Sequence, residues 1–116
     1  TRSKLVLQAK EIGYSLPILK HPSSVVSKYA FVGAGCVLFP YSVIEANAVI
    51  RDCCILASNV IINHDAQIDE CVLVNTGTVI RPNIIINKYV SIGSHCLITM
   101  NKEIEINQII KDGTQI

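Results

Sequence analysis

Three histidines are the side chains best suited to proton transfer near neutral pH: His21, His64 and His95. His64 is followed directly by a carboxylate, Asp65, whereas His95 has no acidic neighbour and His21 precedes a proline. A carboxylate beside a neutral imidazole raises its basicity and orients the ring, which favours a role as general base. The residue types therefore point to His64 and Asp65 as a candidate catalytic pair, with an exposed polar corner as the alternative.

These residues lie in a six-residue repeat that runs without a gap from His21 to Ile116. A helix face repeats every 3.6 residues and a strand alternates every two, so a period of six predicts short strands with a corner after each. Three hexads make one coil of eighteen residues, and the predicted fold class is an all-β parallel β-helix. The fourth hexad residue is usually small or β-branched, and the sixth is always aliphatic: Val26, Val32, Leu38, Ile44, Ile50, Leu56, Ile62, Ile68, Val74, Ile80, Ile86, Ile92, Ile98, Ile104, Ile110 and Ile116.

The fifth residue of each hexad is predicted to point outward, which sorts these positions onto three faces. An exposed apolar row of five coils is unusual for a monomer, so we expect one face to be buried against another subunit in a homotrimer. The alternative is ordinary β-branched strand filling, because a second row is nearly as apolar. His64 lies at the corner just past Ile61 of this row, beside the predicted contact. The row, called the apolar face below, comprises Val25, Val43, Ile61, Val79 and Leu97.

The five cysteines fall into two groups within the repeat. Cys36, Cys54 and Cys96 occupy the small inward position and are interpreted as core filler. Cys53 and Cys71 lie eighteen residues apart, so we expect them to stack on neighbouring coils, more exposed and open to oxidation. There is no Cys-x-x-Cys spacing typical of metal sites. Reduced thiols in a cytoplasmic protein fit this pattern of cysteines best.

Composition excludes several functions. The net charge is +1 without a charged block, which argues against nucleic acid or an anionic membrane as a partner. No apolar stretch approaches the roughly 18 residues that span a bilayer.

Residues 2–12 predict one amphipathic helix, which ends near Gly13. Because neither end shows a cap for the solenoid, we expect the chain to be a fragment of a longer polypeptide.

The hexads, the entry His21-Pro22-Ser23 and the corner Asn63-His64-Asp65 resemble bacterial sugar acetyltransferases of the NeuD/PglD type, within the hexapeptide-repeat acyltransferases. The resemblance covers nearly the whole chain and implies a left-handed β-helix. In this family a small nucleotide-sugar-binding domain precedes the β-helix. The resemblance assigns residues 1–20 to the end of that domain and residues 21–116 to a truncated acyltransferase domain.

The resemblance also implies an acetyl-CoA-dependent enzyme that acetylates a sugar, either an amino-sugar nucleotide or a sialic-acid-like hydroxyl. It assigns His64 as the proton acceptor and Asp65 as the residue that raises its basicity, in a direct transfer without an acyl-enzyme. We expect contacts with the cosubstrate acetyl-CoA from four residues downstream of His64. Ordinary turn chemistry is the alternative for all four: Gly77, Asn83, Gly93 and Ser94.

The chain departs from the family pattern at three positions. Pro82 replaces a glycine whose N–H faces the acetyl carbonyl, and proline has no N–H, so Asn83 or another group would have to supply an oxyanion donor. A family histidine aligns with Leu73 and a polar family position with Ala57. Pro82, together with the first domain and the Gly-x-Pro-Ala-type tail that we expect to lie outside this fragment, favours the second hypothesis, a non-catalytic β-helix scaffold.

A zinc-dependent γ-carbonic anhydrase is the third hypothesis, and it needs three histidines that converge from neighbouring coils and subunits. His64 and His95 are thirty-one residues apart, which is not near a multiple of eighteen. The two histidines therefore do not stack, and no metal is expected.

Overall fold

The structure, a computed structural model, describes residues 4, 5, 8 and 16–116. Lys4, Leu5 and Gln8 are helical, and the rest of the predicted helix 2–12 lies outside the described residues. Within the described part of the chain, no helix is long and apolar enough to cross a membrane. Residues 19–110 carry sixteen two-residue strands, and from Val25 onward each is built from the fifth and sixth positions of a hexad.

The strands are β1 (Leu19–Lys20), β2 (Val25–Val26), β3 (Phe31–Val32), β4 (Val37–Leu38), β5 (Val43–Ile44), β6 (Val49–Ile50), β7 (Ile55–Leu56), β8 (Ile61–Ile62), β9 (Gln67–Ile68), β10 (Leu73–Val74), β11 (Val79–Ile80), β12 (Ile85–Ile86), β13 (Ser91–Ile92), β14 (Leu97–Ile98), β15 (Glu103–Ile104) and β16 (Ile109–Ile110). Strands three apart in sequence pair in parallel, with partners eighteen residues apart. The result is three sheets, one for each face of a prism. The prediction of an all-β parallel β-helix is confirmed, and the architecture is consistent with the left-handed form.

The three faces contain the residues that the hexad register predicts. Strands β2, β5, β8, β11 and β14 form the apolar face. The mixed face, formed by β3, β6, β9, β12 and β15, presents Phe31, Val49, Gln67, Ile85 and Glu103. Strand β1 joins β4 at the edge of the third face, so the solenoid includes one strand before His21. On the apolar face Val25 is 60% exposed and the other four outward side chains are half-buried.

The corners share one backbone device. From Gly35 onward, the third residue of every hexad has a positive φ, between 54° and 67° for the residues that are not glycine. Asparagine, aspartate and glycine adopt this left-handed conformation most readily, which explains why they fill most of these positions. Each corner therefore turns the chain within three residues and directs it onto the next face.

The interior is a continuous aliphatic column, as the repeat predicts. The sixth-position side chains from Leu38 to Ile110 are all buried, and each contributes about 1.5–3 kcal/mol by leaving water. The buried hydroxyls at the fourth position find partners among the corner carbonyls. Thr78 Oγ1 donates to the Gly93 carbonyl oxygen at 2.6 Å, and Ser42 Oγ donates to that of Phe39 at 2.9 Å.

The interpretation of Cys36, Cys54 and Cys96 as core filler is confirmed, since all three side chains are buried. A hydrogen bond with Cys36 and burial raise the pKa of the Cys54 thiol, which keeps it protonated and unsuited to nucleophilic attack. The expected exposure of Cys53 is wrong, because its side chain is 4% exposed, while Cys71 is half-buried. The repeat places both cysteines at the third position of one corner stack, so the period alone does not distinguish the exposure of the two.

Candidate active site

His64 and Asp65 occupy the second and third positions of a corner between β8 of the apolar face and β9 of the mixed face. The stack of corners 27–29, 45–47, 63–65, 81–83 and 99–101 is called the His64 corner below. Asp65 takes the left-handed conformation, with a φ of 62°. The His64 and Asp65 side chains are 54% and 46% exposed, so both reach solvent beside the apolar face.

The imidazole of His64 is held by its neighbour in sequence. Its Nδ1 lies 2.8 Å from Asp65 Oδ2. An ionised carboxylate only accepts hydrogen bonds, so Nδ1–H is the donor and the proton of the neutral ring is on that nitrogen. Nε2 is then left with a lone pair, and the ring is oriented as a proton acceptor.

The peptide groups of His64 are tied to the coils on both sides. Its backbone N–H donates to Glu45 Oε1 at 3.1 Å on the preceding coil, and its carbonyl accepts from the Asn83 N–H at 3.4 Å on the following coil. The other oxygen of Glu45 accepts from Asn63 Nδ2 at 3.1 Å. Sequence reasoning missed Glu45, for which the one available signal was its position eighteen residues before Asn63 in the repeat.

The coil that follows His64 contains the residues that we expected to supply a hydrogen-bond donor for the oxyanion. Pro82 stands at the second position of this corner and supplies no N–H. The backbone N–H of Asn83 donates to the His64 carbonyl oxygen, so it already has an acceptor. The exposed side-chain amide of Asn83 is the donor that remains on that residue.

The other three predicted cofactor residues lie at the opposite edge of the apolar face. Gly77, Gly93 and Ser94 belong to the stack of corners 21–23, 39–41, 57–59, 75–77, 93–95 and 111–113, called the His95 corner below. The structure therefore brings Asn83, but not these three, onto the corner that carries His64.

Each residue of this second group has a structural role. Gly77 has a φ of 75°, and a Cβ there would meet the ring of His95. The Ser94 N–H donates to Asp112 Oδ1 at 2.8 Å, and Gly93 leaves room for the same carboxylate. These contacts fit the alternative of turn chemistry, and a part in cofactor binding stays a prediction.

His21 sits in a local turn rather than in a cluster. Its Nδ1 accepts from the Ser23 N–H at 3.1 Å and lies 2.8 Å from Ser23 Oγ. Across the described ranges, no group of three His, Cys, Asp or Glu side chains is placed to hold a metal ion.

Comparison with known proteins places this geometry in context. No protein-family model and no curated protein matches the sequence. Among solved structures, the acetyltransferase domain of PglB from Neisseria gonorrhoeae FA1090 is similar, with 26% identity and a TM-score of 0.96 over 99% of this chain and 56% of that chain.

Two further structures share the fold at lower identity. PerB from Caulobacter crescentus, in complex with CoA and GDP-perosamine, has 21% identity and a TM-score of 0.59 over 97% of this chain and 59% of that one. WeeI from Acinetobacter baumannii AYE has 17% identity and a TM-score of 0.53, over 98% and 61%. The chain thus spans a little over half the length of these solved chains. The expected resemblance to hexapeptide-repeat acyltransferases is confirmed at the level of the fold.

Proposed function

We propose that this chain is the β-helix part of an acetyl-CoA-dependent sugar acetyltransferase in which His64 is the general base. The observation that carries the proposal is the 2.8 Å contact between His64 Nδ1 and Asp65 Oδ2, which leaves Nε2 open at a half-exposed corner. The similarity of the fold to an acetyltransferase domain supports the same reaction. Asp65 orients the imidazole and stabilises the imidazolium that forms when the ring accepts a proton.

The proposed reaction is a direct transfer. The acceptor nitrogen or oxygen attacks the thioester carbonyl of acetyl-CoA while His64 Nε2 takes its proton. The tetrahedral intermediate collapses with cleavage of the carbon–sulfur bond, and the imidazolium of His64 donates its proton to the departing CoA thiolate. No acyl-enzyme forms, which agrees with the burial of Cys36, Cys54 and Cys96 in the core.

The tetrahedral intermediate needs a hydrogen-bond donor for its oxyanion. The side-chain amide of Asn83, one coil above His64, is our candidate donor, because Pro82 has no N–H and the Asn83 backbone N–H already has an acceptor. Gly77, Gly93 and Ser94 contribute to CoA binding in this proposal from the opposite edge of the apolar face.

The acceptor in this proposal is a sugar. An amino-sugar nucleotide and a sialic-acid-like hydroxyl are the two classes, and the GDP-perosamine bound in the PerB structure makes the first the better choice for an assay. The residues before β1 would belong to the end of a preceding nucleotide-sugar-binding domain, since Leu19 and Lys20 already pair with β4 of the solenoid.

We further propose a homotrimer in which the apolar face packs against a second subunit. The row from Val25 to Leu97 presents an apolar side chain on five successive coils, and burial of such a row is favourable. His64 lies at the corner that borders this face, so subunit packing would place it in a cleft between chains. Light scattering at micromolar concentration should report a trimer, and a monomer would remove this part of the proposal.

The decisive experiment is calorimetry of the full-length protein with acetyl-CoA, followed by a turnover assay with a panel of amino-sugar nucleotides. We expect saturable binding and release of CoA that depends on the acceptor. The second candidate, a non-catalytic scaffold, is favoured by Pro82 at the position of the oxyanion donor. A full-length protein that binds no CoA would exclude the acetyltransferase and leave the scaffold as the better candidate.

A further inference from the structure

Glu45 makes two hydrogen bonds across the coils of the His64 corner. It occupies the first corner position one coil below Asn63, where its side chain is half-buried. Oε1 accepts from the His64 N–H and Oε2 accepts from the Asn63 amide, both at 3.1 Å. Hydrogen bonds to an ionised acceptor are about twice as strong as neutral ones. This carboxylate therefore holds the backbone on the N-terminal side of the imidazole.

At two other corners a carboxylate of the neighbouring coil also bonds a second-position N–H, but from the opposite side. Asp52 Oδ1 accepts from the Ala34 N–H at 2.9 Å, and Asp112 Oδ1 accepts from the Ser94 N–H at 2.8 Å. In both cases the acidic residue lies on the following coil, at the second position of its corner. At the His64 corner that position belongs to Pro82, and the carboxylate reaches the N–H from the preceding coil instead.

We propose that Glu45 is a positioning residue for the His64 imidazole, an inference that rests on the proposed function. Glu45 holds the His64 N–H from below while Asn83 holds the His64 carbonyl from above, so the direction of the Cα–Cβ bond is set by two neighbouring coils. Asp65 then sets the rotation of the ring. Since a displacement of about 1 Å in a catalytic group lowers rates by about 100-fold, removal of this bond slows turnover.

The test compares variants of the full-length protein in the turnover assay with acetyl-CoA and amino-sugar nucleotides. In Glu45→Ala we expect kcat to fall about 10-fold to 100-fold with an unchanged KM for acetyl-CoA. Glu45→Gln keeps a carbonyl oxygen for the His64 N–H, and the Asn63 amide can rotate to meet its NH2 group, so kcat should return to within about threefold of wild type. Asp52→Ala removes a matched carboxylate from a corner without His64 and should leave kcat unchanged.

A second readout follows the bond itself. The 15N-resolved amide signal of His64 should shift and exchange with solvent faster in Glu45→Ala, and it should recover in Glu45→Gln. Equal turnover in wild type and Glu45→Ala would overturn the inference, as would a Gln variant as slow as the Ala variant. His64→Ala distinguishes a failure of the proposed function from a failure of the inference about Glu45. If this variant retains full activity, or if wild type shows no turnover, the proposed function fails. If His64→Ala is inactive and Glu45→Ala is not, the role of Glu45 alone fails.

Discussion

Two histidine corners border the apolar face, and they use the same backbone turn for different purposes. At the His64 corner the imidazole is at the second position, and a carboxylate bonds its Nδ1 at 2.8 Å. At the His95 corner the imidazole is at the third, left-handed position, with a φ of 54°, and its ring lies against Gly77 of the preceding coil. The β-helix supplies equivalent turns at both edges, so the hexad position and the neighbours of each imidazole determine its chemistry.

The His95 corner shows how a histidine can be structural and still be exposed. The backbone N–H of His95 donates to the Thr76 carbonyl oxygen at 2.8 Å, within the ladder of hydrogen bonds that joins one coil to the next. Its ring fills the space that glycine leaves at position 77. Exposure alone therefore does not separate the two histidines, whereas the carboxylate partner on the ring of His64 supports its proposed role as general base.

The largest effect that separates the two corners is expected from removal of each imidazole. His64→Ala should lower kcat by about 100-fold to 10,000-fold, because general-base catalysis contributes that much. His95→Ala should keep kcat within about threefold of wild type and should lose some thermal stability. Steady-state kinetics on both variants, with circular dichroism to show that the β-helix is intact, measures the contrast.

The opposite pattern would reverse the assignment. If His95→Ala is the slower variant while His64→Ala turns over normally, the base lies at the other edge of the apolar face. In that case Gly77, Gly93 and Ser94 would lie beside the reacting groups.

The second prediction concerns the partner of the His64 ring. Asp65→Asn preserves shape, and asparagine tolerates the left-handed φ of 62°, so the fold should be unchanged. The amide can donate to Nδ1 as well as accept from it, which permits the tautomer with the proton on Nε2. We expect kcat to fall about 10-fold to 100-fold with little change in the KM for acetyl-CoA. A variant with wild-type kcat would show that Asp65 does not orient the ring.

The sequence repeat accounts for most of the fold. Because the sixth hexad position is aliphatic throughout and the third is rich in asparagine and glycine, the strands, the core and the corners follow from the period alone. The pair His64 and Asp65 was also predicted, because the two residues are adjacent in sequence at one corner. The burial of Cys53 was not predictable in this way, because the period gives Cys53 and Cys71 equivalent positions and only Cys53 is buried.

The remaining site residues show where sequence reasoning stops. The eighteen-residue period already places Gly77 and His64 on different corners. The family resemblance assigned each cofactor residue by itself, without regard to the corner on which it lies. Glu45 needs more than the period, because its role depends on a rotamer that turns both carboxylate oxygens toward the next coil. Position in the repeat tells which residues are stacked, and only the side-chain geometry tells which of them are bonded.

A third, smaller effect tests the stacking role of the His95 corner. Gly77→Ala should destabilise the fold by about 1–2 kcal/mol, because alanine is strained at positive φ and its Cβ would meet the His95 ring. In the background of His95→Ala only the backbone strain remains, so the same substitution should be less harmful. Chemical denaturation of the four proteins gives the coupling energy. Additive effects would mean that the ring does not pack on Gly77.

The smallest expected effect comes from two prolines at equivalent places on the two corners. Pro82 at the His64 corner and Pro40 at the His95 corner both occupy the second position, and the carbonyl of each accepts a backbone N–H from the following coil. Glycine at either place should cost about 0.4–1 kcal/mol of stability through the greater freedom of the unfolded chain. Only Pro82→Gly also adds an N–H one coil above His64, where an oxyanion would form, so kcat should rise about fivefold in that variant and not in Pro40→Gly. If the two variants lose stability equally and neither gains activity, the oxyanion is bound elsewhere, and the side chain of Asn83 becomes the group to remove next.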